Sequence, residues 1–535
     1  MQFYDYKQMF DSVNLKEAIN DLYDYGVKDD NLSLIYKANE EIYMAIKTPG
    51  GLTDRQKIQN SVLQGDTWGS MMASVQVDTF GKTIEQEGIG YLYKNVLPIS
   101  MLGLVDDVVG VTDTGYKAQQ LNVILNVKTY EKGLQFGITK CKSLTIGNQE
   151  NCINSDLVVD TWKQELVENK STGENKLVER YIGELPIGKT SEYKYLGFII
   201  SSKGDNNANI KARQNKSIGI IKTILHKLEV MKLKQYYFEC AMVYFNVILR
   251  GSILYASETY YNLTENNLRN IEKIEEGFLR KILRTQKSCP ISQLYLETGQ
   301  WPARFQITKL RLLFLKSILD ENEESLVFKF FKLQLQHPTK NDWVSTCKKD
   351  LEEMKIDLKF EEIRMMSKEQ FSNIVKSRIP EIALKYLLNK RGSKGKEIIY
   401  NRLEMAEYLL PNNDILNIAE KQELFSVRNR MVNIGYNFGK KENCVKCEEN
   451  EDMTHIYDCK YLNKKTKEIS FDKIFKGNLF QQIKAFRIFQ ENLRRRNEEK
   501  LIITKIYHAI LLLMIPCPRA GMDEIYGNKL LQDIS

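Results

Sequence analysis

The chain has 535 residues, 43% of them hydrophobic and 27% charged, and its 77 Lys and Arg against 69 Asp and Glu leave a formal net charge of +8. This length exceeds one ordinary core and predicts roughly two to four domains, and the composition excludes an intrinsically disordered chain. A mild basic excess suits a polyanionic partner without demanding one, and it excludes a histone-like binder.

In chain order, the first 200 or so residues read as α+β. Short apolar runs between glycines suit strands at Met101 to Val105, Val108 to Val111, Leu144 to Ile146 and Tyr195 to Ile200. Helix-like stretches lie between them, at Leu15 to Tyr25 and Tyr116 to Lys132. From about residue 205 the pattern turns helical. Leu268, Ile271, Ile274, Phe278 and Ile282 recur at spacings of three and four, one apolar helix face. Phe305 to Leu319 repeats it, with Arg304, Lys309, Arg311 and Lys316 on a solvated face or a phosphate-tracking one. Residues 330–440 continue helical, broken by the basic Asn389 to Lys396.

Nine cysteines are too few for a disulfide scaffold, and no basic-then-apolar leader follows Met1. Reduced, intracellular thiols are expected, with nuclear or cytoplasmic residence open. The apolar run Leu501 to Pro516 is interrupted by Lys505 and His508 and is shorter than the roughly 20 residues a bilayer needs, so no membrane span is expected.

The strongest local signal is Leu102-Gly103-Leu104-Val105-Asp106-Asp107-Val108-Val109-Gly110-Val111. It reads as a hairpin whose turn carries two charges that no core tolerates, either a plain surface turn or a site whose repulsion a divalent cation relieves. Phe3-Tyr4-Asp5 reads as a short strand that delivers a third carboxylate before the chain turns into a helix. Three clustered carboxylates can hold two Mg²⁺ ions about 4 Å apart, which suffices for phosphoryl transfer without a protein nucleophile.

The order of these features resembles the reverse transcriptases of non-LTR (LINE-like) retrotransposons. Asp5 to Val13 is similar to their first palm motif, Gln64-Gly65 to the second, Asp106-Asp107 to the third and Gly133 to Lys142 to the fourth. Tyr195-Leu196-Gly197 matches the strand before the thumb, and Leu254-Tyr255-Ala256-Ser257-Glu258-Thr259 resembles the thumb's L-Y-G-S-E-T. The resemblance implies Asp5, Asp106 and Asp107 as the Mg²⁺-binding triad. It implies Phe10 under the sugar, Gln64 and Gly65 against the incoming nucleotide, and Lys140 at the leaving pyrophosphate. Phe10 is equally consistent with an apolar helix residue facing the core, and Lys140 with a surface charge. Departures include Met9 for the usual Ala, Leu104 for an aromatic, Gly137 for Asn and Thr139-Lys140-Cys141 in the fourth motif.

The implied fold is a truncated right-hand polymerase: palm at 1–204 without the fingers, helical thumb at 205–330, helical region at 331–440, zinc knuckle at 441–465 and basic helical tail at 466–535. The implied reaction is RNA-directed DNA synthesis, with RNA template, DNA primer and deoxynucleoside triphosphates as partners. Because the fingers that precede the first motif in that family are missing before Asp5, the chain is expected to be impaired or inactive, and the strand that carries Asp5 to fray. The alternative is a non-catalytic nucleic-acid-binding remnant.

Cys444-x2-Cys447-x7-His455-x3-Cys459 has the ligand types and spacing of a closed tetrahedral Zn²⁺ site. The resemblance, whose family places such an element on nucleic acid, implies Lys440, Lys441, Lys446, Lys460, Lys464 and Lys465 around it as phosphate contacts. Arg494-Arg495-Arg496 reads as an RNA contact or a solvated helix face. Gly183 to Thr190 fits the P-loop pattern by letter, but a strand rather than a helix follows it, so it is read as a turn.

Overall fold

The computed structural model describes residues 1–57, 62, 67–147, 158–168, 175–391, 398–411, 415–432, 434, 437, 442–462 and 469–514. It is a mixed α+β protein in which a small sheet near the N-terminus is followed by helices.

The sheet is built from β1 (Gln2–Asp5), β2 (Met101–Leu104), β3 (Asp107–Gly110), β4 (Lys142–Ser143) and β5 (Gly188–Lys189). Its five strands run in the order β5-β4-β1-β3-β2. β1 is thus interior, antiparallel to β3 on one side and to β4 on the other. The terminal ammonium of Met1 also donates to the carbonyl of Leu144 at 3.0 Å. A strand bonded along both edges cannot fray as a free end does, which corrects the expectation for Asp5.

Alternation along β1 assigns its two faces. Tyr4 and Val108 join an apolar cluster with Met9 of α1 (Met9–Ser12), Leu22 of α2 (Leu15–Asp24), Met72 and Phe80 of α3 (Thr67–Gln86) and Leu121 of α4 (Gly115–Glu131). Phe3 and Val109 point the other way, onto a hairpin of β6 (Glu192–Tyr195) and β7 (Phe198–Ser201). The stretch expected as one strand is therefore this hairpin. Leu196 and Gly197 form its two-residue turn, both at positive φ (47° and 79°), as a turn matching strand twist requires. The strand expected at Leu144 to Ile146 is displaced to Lys142–Ser143. In place of a simple turn, the segment with P-loop letters is the end of a strand (Asn175–Pro186) followed by β5, and no helix follows.

Beyond Ser201 the chain is helical, and the helices share cores across long sequence distances. One cluster takes residues from Ile210 to Ile307 and again from Leu387 to Phe489, and a second spans Phe305 to Ala383. The elements used below are α5 (Asn207–Val230), α6 (Glu265–Ile282), α7 (Ile291–Glu297), α8 (Ala303–Leu319), α9 (Trp343–Glu353), α10 (Lys368–Lys390) and α11 (Ile418–Arg428).

These helices are cross-linked by buried ion pairs. Glu275 of α6 takes Arg250 Nε at 2.7 Å, the Tyr295 hydroxyl at 2.9 Å and the Ala303 amide at 2.8 Å. Glu297 of α7 takes Arg428 Nε of α11 at 3.1 Å and the Tyr400 hydroxyl at 2.9 Å. Such pairs add little net stability over an apolar substitute, but removing one partner strands a buried charge and costs about 3–5 kcal/mol.

The same physics corrects the reading of α8. Arg311 is buried and bonds Asp350 of α9 at 2.7 Å, and Lys316 is buried and paired with Asp320. Arg304 pairs with Glu265 at 2.7 Å and Glu272 at 2.6 Å. These cations are internal counterions, neither solvated nor free for phosphate. Asp350 is pushed up to about 6 by burial, with the Arg311 charge opposing.

Ala256 sits at φ 57° and ψ 18°, where an L-residue is strained and a glycine is not. Ala256→Gly is expected to raise stability against urea by about 0.5–1 kcal/mol. An unchanged or lowered midpoint would show that the strain is not there.

Candidate active site and metal centre

The strand register places the carboxylates. Asp5 lies directly across from Asp107 in the β1–β3 pair, and Asp107 is in turn opposite Leu104 of β2. Directly opposed residues project to the same face with Cβ atoms about 5 Å apart. By alternation this is the face of Phe3 and Val109, so both carboxylates project on the side of the sheet that carries the β6–β7 hairpin. Asp106 occupies the β2–β3 turn with Val105, whose φ of 57° is strained for a β-branched side chain. Strain of this kind, of order 1–3 kcal/mol, concentrates at functional sites.

Lys140 joins the group from the turn before β4. Its ammonium lies 2.9 Å from Asp5 Oδ1. Gly137 anchors that turn by donating its amide to the Asp5 carbonyl at 2.7 Å and receiving the Lys140 amide at 2.8 Å. A Cβ at position 137 would stand 3.0 Å from Asp5 Oδ1, so the glycine found there in place of the expected Asn leaves room for the carboxylate.

Electrostatics follow from this crowding. The Asp107 carboxyl is raised above its usual value by burial, then by the charges of Asp106 and Asp5, with Lys140 opposing. Lys140 is raised by its hydrogen bond to Asp5 and by that carboxylate's charge, so it stays an ammonium. The group carries more negative charge than one lysine balances.

The β6–β7 hairpin supports both halves of the site. Phe3 stacks on Tyr193 with centroids 4.0 Å apart. The Tyr193 hydroxyl donates to the Lys140 carbonyl at 3.2 Å and the Tyr195 hydroxyl to the Asp107 carbonyl at 3.3 Å. The hairpin tip is gripped from the helical side. Arg213 donates to the Gly197 carbonyl at 2.8 Å and Tyr255 to the Leu196 carbonyl at 3.0 Å. Sequence reasoning missed Tyr193, Arg213 and the supporting role of Tyr195; the one available signal was the alternation Glu192-Tyr193-Lys194-Tyr195.

The structure therefore places Asp5, Asp106, Asp107 and Lys140 at one end of the sheet without gathering the three carboxylates into a ligand cluster. Phe10 is half-buried and packs against the core cluster that holds Tyr4 and Met9, the position of an apolar helix residue. Gln64 and Gly65 lie outside the described residues.

A second constellation is compact. The ligand atoms of Cys444, Cys447, His455 and Cys459 all lie within 4.8 Å of one another, the one such group among the described residues. The carboxylates of Asp5, Asp106 and Asp107 are not gathered that tightly. Cys444 and Cys447 flank a tight turn in which the Glu448 amide donates to the Cys444 carbonyl at 2.9 Å. His455 and Cys459 are set by the short helix α12 (Met453–Asp458), whose N-cap Asp452 accepts the His455 amide. Cys459 Sγ is 3.9 Å from both Cys444 Sγ and Cys447 Sγ. A tetrahedron with Zn–S bonds of about 2.3 Å has an edge of about 3.8 Å, so the donor set fits a structural Zn²⁺.

The basic groups around it are largely engaged. Lys446 pairs with Glu499 at 2.8 Å and Lys460 lies 5.0 Å from the Tyr461 ring centroid. Arg494 pairs with Glu498, and Arg496 is buried against Glu451. The arginine run is thus neither a free RNA contact nor a solvated face in its Arg496 member. Lys440, Lys441, Lys464 and Lys465 lie outside the described residues, as does most of the basic break at Asn389 to Lys396.

No family model and no curated protein matches the chain. Among solved structures it is similar to telomerase from Candida albicans in complex with the TWJ fragment of telomeric RNA, at 14% identity and a TM-score of 0.24. That likeness covers 63% of this chain and 49% of the other, so the chain spans about half the length of that relative. A likeness of that size says nothing about chemistry, which has to be read from the residues. No helix of the described residues is long and apolar enough to cross a membrane.

The raised Asp107 carboxyl gives a test. An acid whose folded value lies above its unfolded one binds protons more tightly when folded, so its contribution falls as pH rises from the unfolded value through the folded one. Asp107→Asn is therefore expected to be more stable than the wild type at pH 7 without divalent metal, and the difference to vanish below about pH 3.9. A variant less stable at pH 7 would contradict the crowding.

Proposed function

We propose that the chain is a nucleotidyl transferase of the reverse transcriptase kind, resembling those of non-LTR retrotransposons. It would extend a DNA primer on an RNA template from deoxynucleoside triphosphates. The observation that carries this reading is the register of Asp5 against Asp107, with Asp106 in the adjoining turn and Lys140 paired to Asp5. Three motifs scattered over more than a hundred residues of sequence thereby contribute to one end of one sheet. In this reading 1–204 is the palm, 205–330 the thumb, 331–440 a helical region, 441–465 the zinc knuckle and 466–535 the tail.

Asp5, Asp106 and Asp107 would hold Mg²⁺, which supplies Lewis-acid activation of the primer hydroxyl and neutralises phosphate charge when bound. The chain's own groups do the rest. β1 and β3 fix two carboxylates on one face, so the anionic centre is organised before substrate arrives. Lys140, kept protonated by Asp5, carries a movable positive charge on an exposed side chain, which can turn from the carboxylate to a departing pyrophosphate. Tyr193 and Tyr195 hold the backbones that present Lys140 and Asp107.

A second reading, a nucleic-acid-binding protein without catalysis, is favoured by one observation: the three carboxylates are not drawn together, and Lys140 already serves as counterion to Asp5. Primer extension by the purified chain separates the two. With an RNA template, annealed DNA primer, deoxynucleotides and Mg²⁺, extension is expected, with at least a 100-fold loss in Asp106→Asn/Asp107→Asn. No extension together with retained salt-sensitive RNA binding would overturn the enzymatic reading and leave the second one.

A further inference from the structure

The knuckle is too small to hold itself together. Its own buried cluster consists of Cys444, Cys459 and Leu462, with Cys447 partly covered, so the thiols are most of its core. What surrounds it is the long helix α13 (Leu479–Met514). Three sets of bonds join them. Arg495 donates to the Leu462 carbonyl at 2.7 Å, just past the last cysteine. Asn492, itself buried, donates to the Ile456 and Tyr457 carbonyls at 3.1 and 3.0 Å, on the helix that carries His455. Lys446, between the first two cysteines, pairs with Glu499.

The centre of this interface is a buried charge cluster. Glu451 is 1% exposed and Arg496 5%. Arg496 Nε lies 3.0 and 3.1 Å from the two Glu451 oxygens, and Lys500 adds contacts to Glu442 at 2.7 Å and Glu451 at 3.2 Å. Glu442 and Glu451 flank the Cys444–Cys447 turn and are tied to each other by a 2.8 Å backbone bond. A buried pair of this kind holds only while both partners keep their positions, since a displaced Glu451 leaves Arg496 unpaired in the interior.

The histidine is also held from behind. The Glu449 carboxylate lies 3.1 Å from His455 Nδ1, while Nε2 faces Cys447 Sγ at 3.3 Å. A carboxylate on Nδ1 fixes the tautomer and leaves the Nε2 lone pair for a metal.

We propose that the partner of the knuckle is the chain's own helix α13, and that metal at Cys444, Cys447, His455 and Cys459, with His455 oriented by Glu449, is the fastener that keeps Glu451 in place for Arg496. This inference rests on the zinc reading of the cysteine cluster and is independent of the polymerase reading. Metal loading sets the geometry of the loop from Glu442 to Asp452, whose thiols belong to a buried cluster separate from the one that takes in Met453, Ile456 and Tyr457. That loop carries Glu451, and Glu451 holds the middle of α13. Glu449 acts through His455 and is a positioning residue.

The test uses the full chain. Zinc content and affinity are measured by chelator competition, and amide hydrogen exchange is followed in residues 479–502 and in β1. The expected result is one zinc per chain. Chelation is expected to speed exchange in 479–502 at least 10-fold and to leave β1 unchanged. Glu449→Gln is expected to weaken zinc binding by about 10–100-fold, with full α13 protection regained at saturating zinc. Chelation of the wild type covers the case in which a ligand variant such as Cys447→Ser fails to fold. Bound zinc with α13 protection indifferent to its removal overturns the fastener, and unchanged affinity in Glu449→Gln overturns the positioning role. A chain that takes up no zinc overturns the metal reading together with the inference.

Discussion

The fold and the candidate chemistry both hang on the double-edged pairing of a four-residue strand. Gln2–Asp5 has hydrogen-bonded neighbours on either side, its even residues face the helices and its odd residues face the β6–β7 hairpin. Because the side-chain period is two, a one-residue slip would send Asp5 into the helix-packed core and Tyr4 onto the hairpin face, so burial of Tyr4 and Phe3 enforces the register. The same register that satisfies the core sets Asp5 against Asp107. Packing energy is thereby used to hold two like charges together, and the Asp107 carboxyl is raised by its burial there and then by the charges of Asp106 and Asp5.

The support reaches outward from there. The sheet's second face is covered by a hairpin whose tyrosines hold the backbone under Asp107 and Lys140, and the tip of that hairpin is held by Arg213 and Tyr255 from the helical side. Movement of α5 is therefore mechanically connected to the carboxylates through two hydrogen-bonded steps. Deeper in the helical part, Arg250–Glu275, Arg428–Glu297, Arg311–Asp350 and Arg496–Glu451 recur as buried pairs. Each joins separate segments of the chain, and each is intolerant of losing one partner.

What could be read from the amino acids divides along physical lines. Local signals sufficed for the Asp106-Asp107 hairpin, for the amphipathic face of α6 and for the Cys/His spacing, because periodicity and ligand spacing are written in neighbouring residues. Tyr195 to Ile200 misled because an apolar run does not reveal the Leu196-Gly197 turn inside it. Arg304 and Arg311 of α8 and Arg496 misled for another reason. A charged residue on a helix looks solvent-facing until a carboxylate from elsewhere is brought against it, and Asp350 and Glu451 arrive only through tertiary folding. The roles of Arg213 and Glu449 were invisible because their partners, the Gly197 carbonyl and His455, meet them only in the folded chain.

The central claim is that the end of the sheet where Asp5 faces Asp107 is a divalent-cation site, and anomalous diffraction from crystals of the full chain soaked in Mn²⁺ tests it most directly. The account expects a manganese peak about 2.1 Å from a carboxylate oxygen of Asp5 and of Asp107, with the Lys140 ammonium displaced from Asp5. Manganese bound elsewhere, with Lys140 still seated on Asp5 and no peak between the two strands, would contradict it.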